Sequence, residues 1–154
     1  MAESVVPLHL DVMWNPNAPF AVLMSSDDGR AVLAMLGRDG DGSVVLCWRG
    51  TLFASAGSPN DEAVSGHRLY RKGLRGLLWA GELRDSRLIG SLEKQTRVHP
   101  RHNPQRFARL VHHIVLTKEN TYEVVADTLT TYEMDASPID AALRILCDDE
   151  ADAP

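Results

Sequence analysis

Residues 20–36 read FAVLMSSDDGRAVLAML, two apolar runs with Asp28-Gly29 between them. Asp-Gly in this setting is the strongest short-range signal for a β-hairpin, because both turn residues are expected at positive φ. The polar loop Gly37–Ser43 follows. Asp39, Asp41 and Ser43 alternate in it as in a calcium loop, but no bidentate Glu stands at the required offset. SVVLCW and TLFASA then flank Arg49-Gly50 and predict a second hairpin. Residues 20–56 thus read as a four-stranded meander. An earlier strand near Leu8–Trp14 is expected to join it before a turn at Asn15–Pro19.

Residues 57–76 break this pattern with glycines and arginines. Asn60 can cap a short helix beginning at Asp61. Leu77–Leu83 predicts a strand, and Ser86 or Asp85 caps a helix to about Arg97 with Leu88, Ile89 and Leu92 on one face. After the loop Val98–Pro104, Asn103-Pro104 opens one more helical turn. Leu110–Thr117 and Thr121–Thr131 predict a late hairpin about Glu119-Asn120. Ser137-Pro138 starts a final helix, with Ile139, Ala142, Leu143 and Leu146 as its buried stripe. The expectation is α+β: about seven mostly antiparallel strands with two or three covering helices, in one domain over 1–147, and an acidic disordered tail at 148–154.

The chain has 154 residues, of which 44% are hydrophobic and 24% charged, enough to bury a core. No apolar run approaches the roughly 18–20 residues of a membrane-spanning helix, and the N-terminus does not read as a signal peptide. Cys47 and Cys147 stand far apart and form neither a disulfide framework nor a zinc pattern. Two reduced thiols and a cytoplasmic location are expected. There is no dinucleotide fingerprint, P-loop, Gly-x-Ser-x-Gly elbow or His-Glu-x-x-His. Nucleotide-cofactor enzymes and standard serine hydrolases are disfavoured, and no cofactor or metal is expected.

The net charge of −5 hides a split. Residues 66–109 hold eleven of the sixteen basic side chains and three of the twenty-one acids. Such a segment either forms an anion-attracting patch or folds against the acidic remainder and cancels.

Three clusters could carry chemistry. In the late hairpin, a Glu119-Asn120 turn sets His112 across from Asp127, with Glu123 on the same strand face. A three-residue turn moves the register by one and puts His113 on that face instead. An imidazole oriented by a carboxylate suits acid–base work near neutral pH. The rigid loop His99-Pro100-Arg101-His102 suits an anionic group better than a metal, because Arg101 disfavours a cation. Asn60, Asp61, Glu62, His67 and Tyr70 could line a pocket, although a turn and a solvated helix explain the first three equally well. Trp14, Trp48 and Trp79 read as core or pocket wall.

Three stretches, GSPNDEAVSGHRLYRKGL (57–74), RVHPRH (97–102) and HHIVLTKENTYEVVA (112–126), together resemble a set of small, high-GC bacterial proteins of uncharacterised function. Their shared pattern is G-x-P-N-D-E…G-H-x-L-Y…H-P-R-H…E-x-V-A, and the resemblance covers roughly residues 10–130. It points to Asn60, Asp61, Glu62, His67, Tyr70, His99, His102, His112 and Glu123. It supplies no reaction, and implies only an accessory role in bacterial metabolism.

The expected function is a small cofactor-independent enzyme (isomerase, lyase or hydrolase) acting on a small anionic or polar metabolite. His67, His112, Glu123 and Glu62 would handle the proton. Arg68, Tyr70, Arg101, Asn60, Asp61, His102 and Asp127 would hold the substrate. The alternative is a non-catalytic binding module for a protein or acidic ligand. Nucleic-acid binding through the basic segment is disfavoured by the acidic remainder, and a homodimer is possible through an exposed sheet edge.

Overall fold

A computed structural model describes residues 2–17 and 20–148. The proposed turn at Asn15–Pro19 and the proposed acidic tail therefore lie partly outside the described residues. Two antiparallel sheets form an α+β fold. The first has the order β1 (Ser4–Pro7), β6 (Ala80–Arg84), β7 (Val111–Leu116), β8 (Thr121–Ala126), β5 (Phe53–Gly57). The second has the order β2 (Ala21–Ser25), β3 (Ala31–Leu36), β4 (Ser43–Arg49), β9 (Thr128–Met134). The helices are α1 (Arg87–Thr96), α2 (Pro104–Ala108) and α3 (Pro138–Cys147).

The sheets face each other across a core that includes Leu33, Met35, Leu46 and Trp48 from one and Val115, Tyr122 and Val124 from the other. Strand side chains alternate, so the remaining residues point outward and need their own cover. Helix α3 covers Val32, Ala34, Val45 and Cys47. On the outer face of the five-stranded sheet, the 57–76 segment and helices α1 and α2 cover Val5, Leu83, Ile114 and Val125.

Nine strands stand among the described residues where about seven were expected, and two corners explain most of the difference. Arg49-Gly50 is not a hairpin turn: β4 pairs with β3 and β9, whereas β5 pairs with β8 in the other sheet. Gly50 takes φ +62°, and a side chain there would run into the Asp127 carboxylate. The expected strand Thr121–Thr131 is likewise two strands broken at Asp127, whose N–H donates to the Arg49 carbonyl at 3.0 Å. The chain thus changes sheet twice at one place.

Other boundaries also differ. The first strand is Ser4–Pro7. Between residues 8 and 14 there is only a bridge from Trp14 to Gly37, while Leu8, Leu10 and Val12 pack on the core as irregular chain. The Asp28-Gly29 hairpin closes through the three residues 27–29. Only Gly29 needs positive φ, at +85°. In α3 the buried residues are Pro138, Ala141, Ala142 and Ile145, and Ile139 and Leu143 are about half exposed. The two alanines let the helix sit close to the sheet, which rotates the predicted stripe.

Candidate functional site

The late hairpin turns at Lys118-Glu119, with the Thr117 N–H donating to the Asn120 carbonyl at 3.0 Å. His112 therefore pairs with Val125 and Ile114 with Glu123. That is two residues from the register of a Glu119-Asn120 turn, and an even shift keeps the same face. His112 and Glu123 share the outer face, and His113 points into the core. There His113 accepts a hydrogen bond from the Trp48 indole at 3.2 Å. Burial and the neighbouring His112 push its pKa down to about 4.

On the outer face, three nitrogen-bearing side chains gather round Glu123. His112 Nε2 lies 2.9 Å from Oε2 without the alignment of a hydrogen bond, so the pair is a short contact. His67 Nε2 lies 3.6 Å from Oε1, and Arg68 forms an ion pair with Oε2. Burial raises the carboxyl pKa, but His112, Arg68 and His67 outweigh it and the net shift is downward. Burial lowers the His67 pKa against the opposing pull of Glu123.

The outer nitrogens of both rings are occupied. His67 Nδ1 accepts the Leu69 N–H at 3.2 Å. His112 Nδ1 lies 2.7 Å from Ser86 Oγ. Ser86 is the cap of α1, and its Oγ also accepts the Ile89 N–H at 3.3 Å.

Glu3 completes the cluster. Its side chain is 1% exposed and lies 2.9 Å from Lys72 Nζ and 3.5 Å from Arg68. It also accepts the Arg87 N–H at 3.1 Å. Burial raises its pKa, and the Lys72, Arg87 and Arg68 contacts together bring it below the usual value. An open groove of about 470 Å³ runs over this cluster, lined by Glu3, Phe53, Arg68, Lys72, Arg87 and Glu123, with Leu88 beside them.

Of the candidates read from sequence, His67, Arg68, His112 and Glu123 converge here, and the others do not. Glu62 is exposed on the 3-10 turn Asp61–Gly66. Asn60 caps that turn through the Ala63 N–H at 3.2 Å. Asn60 and Asp61 instead line a separate cavity of about 290 Å³ with Trp79 and Lys118. Tyr70 starts a 3-10 turn at half-buried depth. His102 is tied to Glu93 at 2.9 Å and packs on Phe107. Arg101 is exposed beside it. Asp127 sits at the sheet-switching corner beside Gly50. Among the described residues no group of three or more His, Cys, Asp or Glu is placed to hold a metal ion, and no helix is long and apolar enough to cross a membrane.

Glu3, Lys72, Ser86 and Arg87 were not anticipated as site residues. Ser86 carried a capping signal, but nothing local links it to His112. Comparison with protein-family models, curated proteins and solved structures finds no match.

Proposed function

We propose that the groove over Glu123 binds a small anionic metabolite and transfers a proton, as a cofactor-independent isomerase, lyase or hydrolase. The supporting observation is the Glu123 carboxylate, 14% exposed, held between two imidazoles and the Arg68 guanidinium at the groove wall. Three cations (Arg68, Lys72 and Arg87) face two carboxylates along that wall, so the lining favours an anion. The Arg87 guanidinium has no partner among the described residues.

The contacts suggest how binding and proton transfer are coupled. Arg68 is 47% exposed and is the partner of Glu123 most free to move. A substrate anion that draws Arg68 outward removes a charge that keeps Glu123 ionised. Its proton affinity then rises and it becomes a base. His67 and His112 remain to orient it.

The second reading is a binding module without catalysis. It is favoured by the occupied Nδ1 atoms of both histidines, which leave neither ring a free acceptor. The small-ligand partner and the cytoplasmic setting, which suits the free Cys47 and Cys147, belong to both readings. A homodimer is compatible with either.

The test is titration with inorganic phosphate and with succinate, followed by NMR of the histidine rings. Binding should move the His67 and His112 signals, and Arg68→Gln should weaken it about tenfold, the value of one charge-assisted contact. No binding to the wild-type chain at millimolar ligand sinks both readings. Binding that leaves the His67 and His112 protonation unchanged supports the module over the enzyme.

A further inference from the structure

The contacts around His112 extend beyond the groove. Its ring is fully buried and lies between Glu123, which lines the groove, and Ser86, which lines another cavity. Nε2 faces Glu123 on the groove side. Nδ1 faces Ser86 Oγ at 2.7 Å, and Ser86 lines a second cavity of about 500 Å³ with Arg84, Ile89, Phe107, Arg109 and Leu110. A hydroxyl on an imidazole whose far nitrogen meets a carboxylate is the arrangement that activates a serine nucleophile. Here the ring is turned round: the serine meets Nδ1 and the carboxylate meets Nε2.

The hydrogen-bond inventory fits. Ser86 Oγ accepts the Ile89 N–H through a lone pair, which leaves its own hydrogen to point at Nδ1. The ring's proton is then on Nε2, facing Glu123. That contact is short but off-axis, as catalytic contacts often are before a substrate is bound. Asp85, at φ +51°, turns the chain from β6 into α1 and sets Ser86 at the cavity wall.

We infer that Ser86, His112 and Glu123 form a nucleophile–base–carboxylate relay that hydrolyses an ester with a short acyl chain and an anionic group. Ile89, Phe107 and Leu110 supply an apolar wall for the chain. Arg109, whose guanidinium has no partner among the described residues, supplies the cation. Ser86 Oγ forms a bond to the carbonyl carbon and its proton passes to Nδ1. The carbonyl electron pair moves to oxygen and returns as the ester C–O bond breaks. The leaving alkoxide takes the proton from Nδ1 and departs as the alcohol. Water then attacks the acyl-serine, its proton again passing through Nδ1. Ser86 is regenerated with its hydrogen and the acid is released. Glu123 steadies the imidazolium formed in each half. The sequence carries no Gly-x-Ser-x-Gly elbow, so only the fold brings these three residues together.

This inference shares His112 and Glu123 with the proposed function but uses a different cavity, so the two can fail separately. The full chain is incubated with a fluorophosphonate probe and its peptides are analysed by mass spectrometry. The adduct is expected on Ser86 and absent in Ser86→Asn, which keeps a good helix cap and therefore the fold. Glu123→Gln should slow labelling at least about 100-fold, since neutralising the carboxylate behind the imidazole of a serine triad costs up to about 10⁴-fold. The same two variants should lower p-nitrophenyl acetate turnover in parallel. An unlabelled Ser86 in a chain that melts cooperatively overturns the inference. So does labelling at an equal rate in Glu123→Gln. Phosphate binding with no Ser86 adduct removes the relay alone, and a Ser86 adduct without phosphate or succinate binding removes the groove reading alone.

Discussion

Glu3→Gln tests whether the buried carboxylate at the first strand holds the site together. Glu3 joins three parts of the chain that are far apart in sequence: Lys72 at 2.9 Å, Arg68 at 3.5 Å and the first N–H of α1 at 3.1 Å. Stranding a fully buried charge costs about 3–5 kcal/mol. Here the stranded cations can rehydrate, because the Lys72 and Arg68 side chains are 32% and 47% exposed. What is lost is mainly one hydrogen bond to a charged group, so Glu3→Gln should cost about 2 kcal/mol. For a chain of this length that lowers Tm by about 4–8 °C.

The pH dependence makes the test specific. Folding lowers the Glu3 pKa from its ordinary 4.5. The stabilisation is therefore complete above that value and is lost as pH falls through the folded-state value. Urea unfolding followed by circular dichroism at pH 7 and pH 3 should show a gap between wild type and Glu3→Gln that narrows at pH 3. An equal gap at both pH values, or one below about 0.5 kcal/mol at pH 7, refutes the reasoning.

Two further predictions concern the scaffold. Because the His113 pKa falls from 6.5 to about 4 on folding, His113 stabilises the fold above pH 6.5. That contribution is lost as pH drops toward 4, by roughly 2–3 kcal/mol; urea midpoints at pH 7 and pH 4.5 should show it, and a His113→Gln chain that keeps the full slope would contradict it. Gly50→Ala should destabilise by about 1–3 kcal/mol through its positive φ and the Asp127 collision, whereas Gly90→Ala in α1, with open space around it, should stabilise by about 0.5–1 kcal/mol; a Gly50→Ala chain that melts no lower than wild type would show the corner is not strained against side chains.

What the sequence made legible is what neighbouring residues decide. Ser86, Asn103-Pro104 and Ser137-Pro138 each carry their own cap, and the three helices start where those caps predict. The choice of sheet is not local. Arg49-Gly50 has a hairpin's composition, and becomes a corner because Asp127 comes from 77 positions further on to occupy the space beside it. The same distinction runs through the site. The late hairpin turns one residue earlier than Glu119-Asn120, which shifts the pairing by two, yet His112 still falls on the face of Glu123, because a strand alternates with period two and only an odd shift in pairing swaps it for His113. Glu3 had no such protection. Its partners lie 69 and 84 residues away, and it reaches them only because β1 pairs with β6 at the edge of the sheet. A cluster held by contacts of that span can form only after the five-stranded sheet has closed. It follows that the cluster and the global fold should be lost together, and that removal of residues 1–7 should abolish the phosphate binding proposed for the groove even though none of the histidines is touched.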